Sequence, residues 1–301
     1  VSVYTLRQAE PMHIKTQDGV FLNGHLFKPT GQDQYPLMIF VNGSGITPYE
    51  MDLEEEQFYF CRTLVKGCID EGFALLLVNK RGVGSSEGTW KTQSFYDRAE
   101  DMRDIILSMR KRIDIDEHQI SVMGHSQGGW IVQLLAARYP DLLKSSLSIA
   151  GPAYSVKEQI LDNLDSNLIM KGNVRSAKWL RPINQLSFTL YQLLSKVLKV
   201  GYLSRILDYD ARTIIPSIAV PIYFAFAEND ELVPLEKNEP LARELLSQIS
   251  VPYKVNISSG VNHSFARAER YQTWDKIDWK ASLELVDLIR DFCRWTKANF
   301  R

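Results

Sequence analysis

A chain of 301 residues that is 45% apolar and 24% charged can bury a large core, which excludes wholesale disorder. Lysine and arginine total 35 against 36 acidic residues, for a net charge of −1, so no basic excess is available to neutralise phosphates and nucleic-acid binding is not expected as the main activity. The longest apolar runs, such as Phe73 to Val78, are far too short to cross a bilayer, and no transmembrane segment is expected. No signal peptide is visible, although the sequence starts at Val1 rather than Met, as would a chain from which a leader had been removed. Cys61, Cys68 and Cys293 form an odd, scattered set with neither a disulfide framework nor a metal-ligand spacing, which favours a reducing, cytoplasmic compartment.

Met12 to Thr16 and Val20 to Phe27 read as strands around Gln17-Asp18-Gly19, and Asp-Gly between two such runs predicts a hairpin. Short, nearly continuous apolar runs follow at Leu37 to Val41, Ala74 to Val78, Ile120 to Met123, Leu147 to Ala150, Ile222 to Ala227 and Tyr253 to Ile257. Runs without polar alternation suit strands covered on both faces. Helical stripes lie between them: Ala99, Met102, Ile105, Ile106 and Met109, then Leu285, Leu288, Ile289, Phe292 and Cys293 near the C-terminus. The alternation predicts an α/β fold with an open, mostly parallel sheet, helices on both faces and the hairpin at one edge. From Gly151 to about Ile215 it stops. Ile183, Leu186, Leu190, Leu193, Leu194 and Val197 recur there at helical spacing, with Pro182 read as the first helical residue and Gly201 as the stop. The expected organisation is a core of residues 1–150 and 216–301, with 151–215 inserted as a helical cap.

Gly124-His125-Ser126-Gln127-Gly128-Gly129 follows the strand ending at Met123 and opens a helix. Gly-x-Ser-x-Gly in that context predicts a tight strand-to-helix turn that raises the Ser126 hydroxyl above the sheet edge, with glycines where side chains would collide. A serine needs a base to become nucleophilic, and imidazole suits that role near neutral pH. Of five histidines, His13 and His25 fall in the hairpin, His118 precedes a strand, and His125 is expected to point away from Ser126 across the turn. That leaves His263, in the loop after the strand at Tyr253 to Ile257. The carboxylate that orients it is expected after Ile222 to Ala227, where Asp230 is preferred over Glu228 and Glu231, the glutamates being read as solvated charges. Negative charge developing on a substrate carbonyl requires fixed donors. The Gln127 amide is one, and the loop Asn42-Gly43-Ser44-Gly45 supplies the other, assigned to the Ser44 amide with Gly45 in reserve.

The order Ser126, Asp230, His263 and the surrounding motifs resemble the α/β-hydrolase superfamily over nearly the whole chain. The resemblance is to its serine-hydrolase branch of bacterial carboxylesterases, serine aminopeptidase-like hydrolases and monoglyceride lipases. Asn79-Lys80-Arg81-Gly82-Val83-Gly84-Ser85-Ser86-Glu87-Gly88 is similar to that branch's D-x-R-G-x-G-x-S-x-G loop, and Gly260 to Phe265 to its histidine loop. Asn42 departs from a common histidine and Asn79 from the aspartate, both supporting positions; the Arg81 loop is expected to fix backbone through hydrogen bonds. The resemblance implies a carboxylic ester hydrolase acting on a small acyl substrate through an acyl-enzyme, with no metal or organic cofactor. Aminopeptidase or thioesterase activity on the same residues is the alternative, and a non-catalytic binding protein a more distant one. The apolar surplus at Trp179, Phe188, Leu190, Tyr191, Leu194 and Leu198 is expected in part to line an acyl pocket above Ser126.

Overall fold

The computed structural model of the chain describes residues 4–54, 59–198, 201–279 and 283–299. The chain opens with the hairpin of β1 (Glu10–Lys15) and β2 (Phe21–Phe27), closed by the Thr16 amide on the Val20 carbonyl at 2.9 Å. The remaining strands are β3 (Tyr35–Val41), β4 (Ala74–Val78), β5 (Ile115–His125), β6 (Ser146–Ile149), β7 (Ile222–Ala227) and β8 (Tyr253–Ser258). Together the described strands form one eight-stranded sheet in the order β1-β2-β4-β3-β5-β6-β7-β8. β2 pairs antiparallel with β1 and β4, and every other pairing is parallel.

The continuous apolar runs are explained by burial on two faces. Leu37, Ile39 and Val41 of β3 enter one core with Ile120, Val122, Phe224 and the buried sides of α3 (Phe95–Met109), α4 (Gln127–Arg138) and α8 (Leu235–Leu246). Met38 and Phe40, one residue out of phase, enter the other with Leu75, Leu77 and Tyr223, under α1 (Tyr49–Glu54), α2 (Phe60–Asp70) and α9 (Leu283–Asn299). A strand alternates its side chains between faces, so both phases must be apolar when both faces are covered.

Between β6 and β7 run α5 (Val156–Met170), α6 (Val174–Leu198), α7 (Leu203–Ile206) and short 3-10 turns. Ser155 caps α5 with Glu158 in a reciprocal capping box. The expected helix start at Pro182 is wrong, because Pro182 lies inside α6, two turns past its first residue. Packing overrides the local cost of proline: Ala177, upstream of it, is buried, and Arg181 is held by Asp162 at 2.9 Å and by Asp165 of α5. The Val197 side chain in the expected stripe lies outside the described ones.

Candidate active site

β5 delivers the chain to Ser126 at the carboxyl edge of the sheet. Ser126 has φ 57° and ψ −120°, a conformation that L-residues avoid and that persists only when the surroundings enforce it. The enforcement is packing. A Cβ on Gly124 would stand 2.2 Å from the Gly128 carbonyl oxygen, and one on Gly128 would stand 2.1 Å from that of Val41. Strand and helix therefore approach to a distance that only glycines permit. The Ser126 amide donates to the Ile149 carbonyl at 2.9 Å, and α4 begins at the next residue.

Asp230 and His263 emerge at the same edge, three residues past β7 and five past β8. His263 Nδ1 lies 2.8 Å from Asp230 Oδ2, while Asp230 Oδ1 accepts the amides of Leu232 at 2.8 Å and Val233 at 2.7 Å. Both side chains are buried. Burial pulls the His263 pKa down, but the Asp230 charge and hydrogen bond, helped by the Glu231 charge, outweigh it and raise the group above an ordinary histidine. The glutamates were expected to be solvated loop charges. Glu228 is exposed and accepts the Gly260 amide at 2.8 Å, but Glu231 is buried at 4% exposure, and burial raises its carboxyl pKa against the pull of His263. Ser166 of α5 donates its hydroxyl to the Glu231 carbonyl, tying that helix to the acid loop.

His125, expected to point away from Ser126, lies against His263. Its ring lies 4.7 Å from the His263 ring, and its Nε2 is 2.8 Å from the His263 carbonyl oxygen. Burial first, then the His263 charge, lower its pKa to about 3, so it stays neutral near pH 7 and donates that hydrogen bond. The other histidines lie elsewhere: His13 bonds Asn23, His25 bonds the Tyr49 hydroxyl at 2.6 Å, and His118 is exposed.

The Asn42–Gly45 loop leaves β3 beside Ser126. A Cβ on Gly43 would lie 3.5 Å from the Ser126 Cβ, whereas Ser44 and Gly45 are exposed. Two cations that sequence reading passed over hold this loop. Lys80 donates to the carbonyls of Gly43 and Ser44, both at 3.0 Å. The buried Arg98 guanidinium donates to the Asn42 carbonyl at 2.6 Å and to the Gln127 side-chain oxygen at 2.7 Å, so one group joins the loop to the start of α4. Tyr202, past α6, adds its hydroxyl to the same Gln127 oxygen at 3.3 Å. Burial, then the Arg98 charge, lower the Lys80 ammonium to about 7. The available signal for Arg98 was a lone cation on the apolar stripe of α3. For Lys80 it was position, inside the Asn79–Gly88 motif and directly before its arginine.

The two departures from the expected motifs have partners. Asn42 donates to the Val78 carbonyl at 2.8 Å. Asn79 donates to the Glu50 carboxylate at 2.7 and 2.9 Å, so α1 supplies a carboxylate where the motif carries its own. Arg81 binds the side chains of Asp18 and Asp101 rather than backbone, tying the hairpin turn to α3.

Of the six side chains expected in part to line an acyl pocket, four are exposed and two half-buried. Trp179, Leu190, Leu194 and Leu198 face solvent, and Phe188 and Tyr191 pack on the core. An apolar cavity of about 330 Å³ opens behind His125, lined by Tyr59, Phe60, Trp274, Trp279, Leu285 and Ser264 among others.

A family model described as "Serine aminopeptidase, S33" matches residues 56–266. No curated protein matches the chain. Among solved structures, Est1E of Butyrivibrio proteoclasticus with ferulic acid bound is 17% identical, covering 96% of this chain and 100% of its own, at a TM-score of 0.61. The Pyrococcus furiosus esterase Pf2001 is 15% identical over 98% of this chain and 95% of its own, at 0.65. Dipeptidyl peptidase 4 of Porphyromonas gingivalis is 19% identical over 94% of this chain and 35% of its own, at 0.59. At these identities the neighbours establish the fold, which is that of the α/β-hydrolases. With more than half its length matched and a strained serine turn between β5 and α4, the chain belongs to the serine aminopeptidase S33 family of α/β-hydrolases.

Proposed function

We propose that the protein cleaves carboxylic esters by two-step acyl transfer, with Ser126 as nucleophile, His263 as base and Asp230 as the group that orients it. The observation that carries this reading is the 2.8 Å contact between His263 and Asp230, whose other oxygen is fixed by two backbone amides, at the sheet edge where Ser126 is held. In the reaction, Ser126 Oγ bonds to the carbonyl carbon while His263 Nε2 takes the hydroxyl proton. The Nδ1–H stays on the imidazole and donates to Asp230, which stabilises the imidazolium. The amides of Gln127 and Ser44 bind the oxyanion. Collapse expels the alcohol, which leaves with the proton from His263. Water then repeats the sequence on the acyl-enzyme and releases the acid.

The 151–215 segment acts in this reading as a cap: Tyr202 and Ser166 reach the nucleophile helix and the acid loop from it. The cavity behind His125 takes the apolar end of the substrate, and its aromatic lining favours an aryl or medium acyl group over a charged peptide. Esters are preferred as substrates because the esterase Pf2001 matches over nearly both full lengths. Aminopeptidase action is the second reading, favoured by the family description. A panel of p-nitrophenyl esters, aminoacyl p-nitroanilides and acyl-CoA thioesters tests the choice. Ester kcat/KM should exceed that for the anilides by orders of magnitude; the reverse order overturns the ester assignment in favour of the peptidase.

A further inference from the structure

Helix α6 has two apolar faces, and among the described residues only one is covered. Ala177, Phe188 and Tyr191 pack inward, and Arg181 is tied to α5. On the opposite side Trp179, Ile183, Leu186, Leu190, Leu193 and Leu194 form a stripe, with Trp179 exposed at 79% and the other five at 53–61%. So large a contiguous apolar surface is uncommon on a soluble protein unless something binds it.

The charges around the stripe say what binds it. Between Asp165 and Asp208 the sequence has seven cationic residues and no acidic one, in a chain whose total charge is −1. Lys171, Arg175 and Lys178 are exposed at the N-terminal end and have no acidic partner among the described residues. A helix with an apolar face bearing Trp and Leu beside a purely basic flank suits the plane of a membrane interface with anionic headgroups. The spacing 179, 183, 186, 190, 193 would also suit pairing with a second copy. Either orientation of such a pair, however, sets cations against cations, with no glutamate to relieve them. α6 is anchored to the core along its inner face, so it lies flat rather than spanning, and no described helix is long and apolar enough to cross a membrane. We propose that α6 docks the protein, stripe inward, on an anionic lipid surface. Tyr202, four residues beyond α6, contacts Gln127, so docking would bring the edge bearing Ser126 next to lipid. The binding itself does not depend on the proposed reaction.

Co-sedimentation of the full chain with phosphatidylcholine vesicles containing 30% phosphatidylglycerol tests this, against pure phosphatidylcholine. Binding is expected to the anionic vesicles and to weaken at 0.5 M NaCl. Replacing Arg175 and Lys178 by alanine should lower the partition coefficient roughly thirtyfold, at about fivefold per cation. A triple variant with Trp179→Ser, Leu186→Ser and Leu190→Ser should abolish binding while leaving Tm unchanged, since all three side chains are exposed. Three results overturn the proposal: wild-type protein left in the supernatant at low salt; equal binding to both vesicle types; or a dimer in solution that the triple variant dissociates, which would show that a second copy covers the stripe.

Discussion

Arg98→Met tests how the proposed oxyanion segment is held. Methionine matches the length of arginine but donates nothing, so the Asn42 carbonyl loses its 2.6 Å partner and the Gln127 side chain its 2.7 Å partner. Hydrogen bonds to a charged group are worth about 1.5–3 kcal/mol each, a gross loss of about 3–6 kcal/mol. Relief from burying a guanidinium, several kcal/mol in itself, offsets much of that, so a folding cost of about 1–3 kcal/mol is expected. The kinetic effect should be larger in proportion. Losing one oxyanion donor costs about 10²–10³ in kcat; because Arg98 positions the loop rather than touching substrate, a fall in kcat of about ten- to a hundredfold with KM within twofold is expected. Arg98→Lys, which can keep one of the two bonds, should recover part of it. The Arg98 charge also helps depress Lys80 to about 7, so in Arg98→Met the Lys80 proton should be lost at higher pH, and any alkaline limb that follows it should move upward. Steady-state kinetics on p-nitrophenyl butyrate from pH 5 to 9, with thermal unfolding alongside, reads both effects. A folded Arg98→Met with wild-type kcat at every pH would refute the positioning role.

The proposed reaction needs neutral His263, whose pKa is raised, so kcat/KM should climb with pH through a midpoint above 6.5. The midpoint should fall in Asp230→Asn, with a large loss of kcat, and fall less in Glu231→Gln, with kcat nearly kept. An unmoved midpoint in Glu231→Gln would mean that its charge does not act on the imidazole. Gly128→Ala forces a Cβ to 2.1 Å from the Val41 oxygen and should cost at least about 3 kcal/mol in urea unfolding; wild-type stability would contradict the close approach of β3 and α4. Trp274→Ala, at the exposed rim of the cavity behind His125, should change the ranking of acyl groups in an ester panel while sparing Tm. An unchanged ranking would remove that cavity from the substrate path.

The parts of the fold that obey local rules were legible in the sequence. Ala74 to Val78 and Ile222 to Ala227 read as strands because burial on two faces leaves no polar residue in either phase, and the Asp18-Gly19 turn announced its own hairpin. The serine turn was legible because glycine at 124 and 128 answers a steric demand that no other residue meets. What escaped depends on long-range packing. Pro182 looks like a helix start until Ala177 and Arg181 are seen to anchor the turns before it. Glu231 looks solvated until Ser166 of α5 and the His263 loop close over it. Arg98 and Lys80 meet the loop after β3 from 56 and 36 residues away, a distance over which periodicity carries no information. The same limit applies to the apolar surplus of α6: helical spacing showed that it exists but not which side of the helix would face the core.

The proposed reaction requires Ser126 to be an activated nucleophile. Intact-mass spectrometry after incubation with a fluorophosphonate measures this most directly. One phosphonyl adduct is expected, mapped to Ser126 by peptide sequencing, absent from folded Ser126→Ala and formed far more slowly in His263→Ala. An unlabelled wild-type protein, or an adduct that persists in Ser126→Ala, would contradict the proposed role of Ser126.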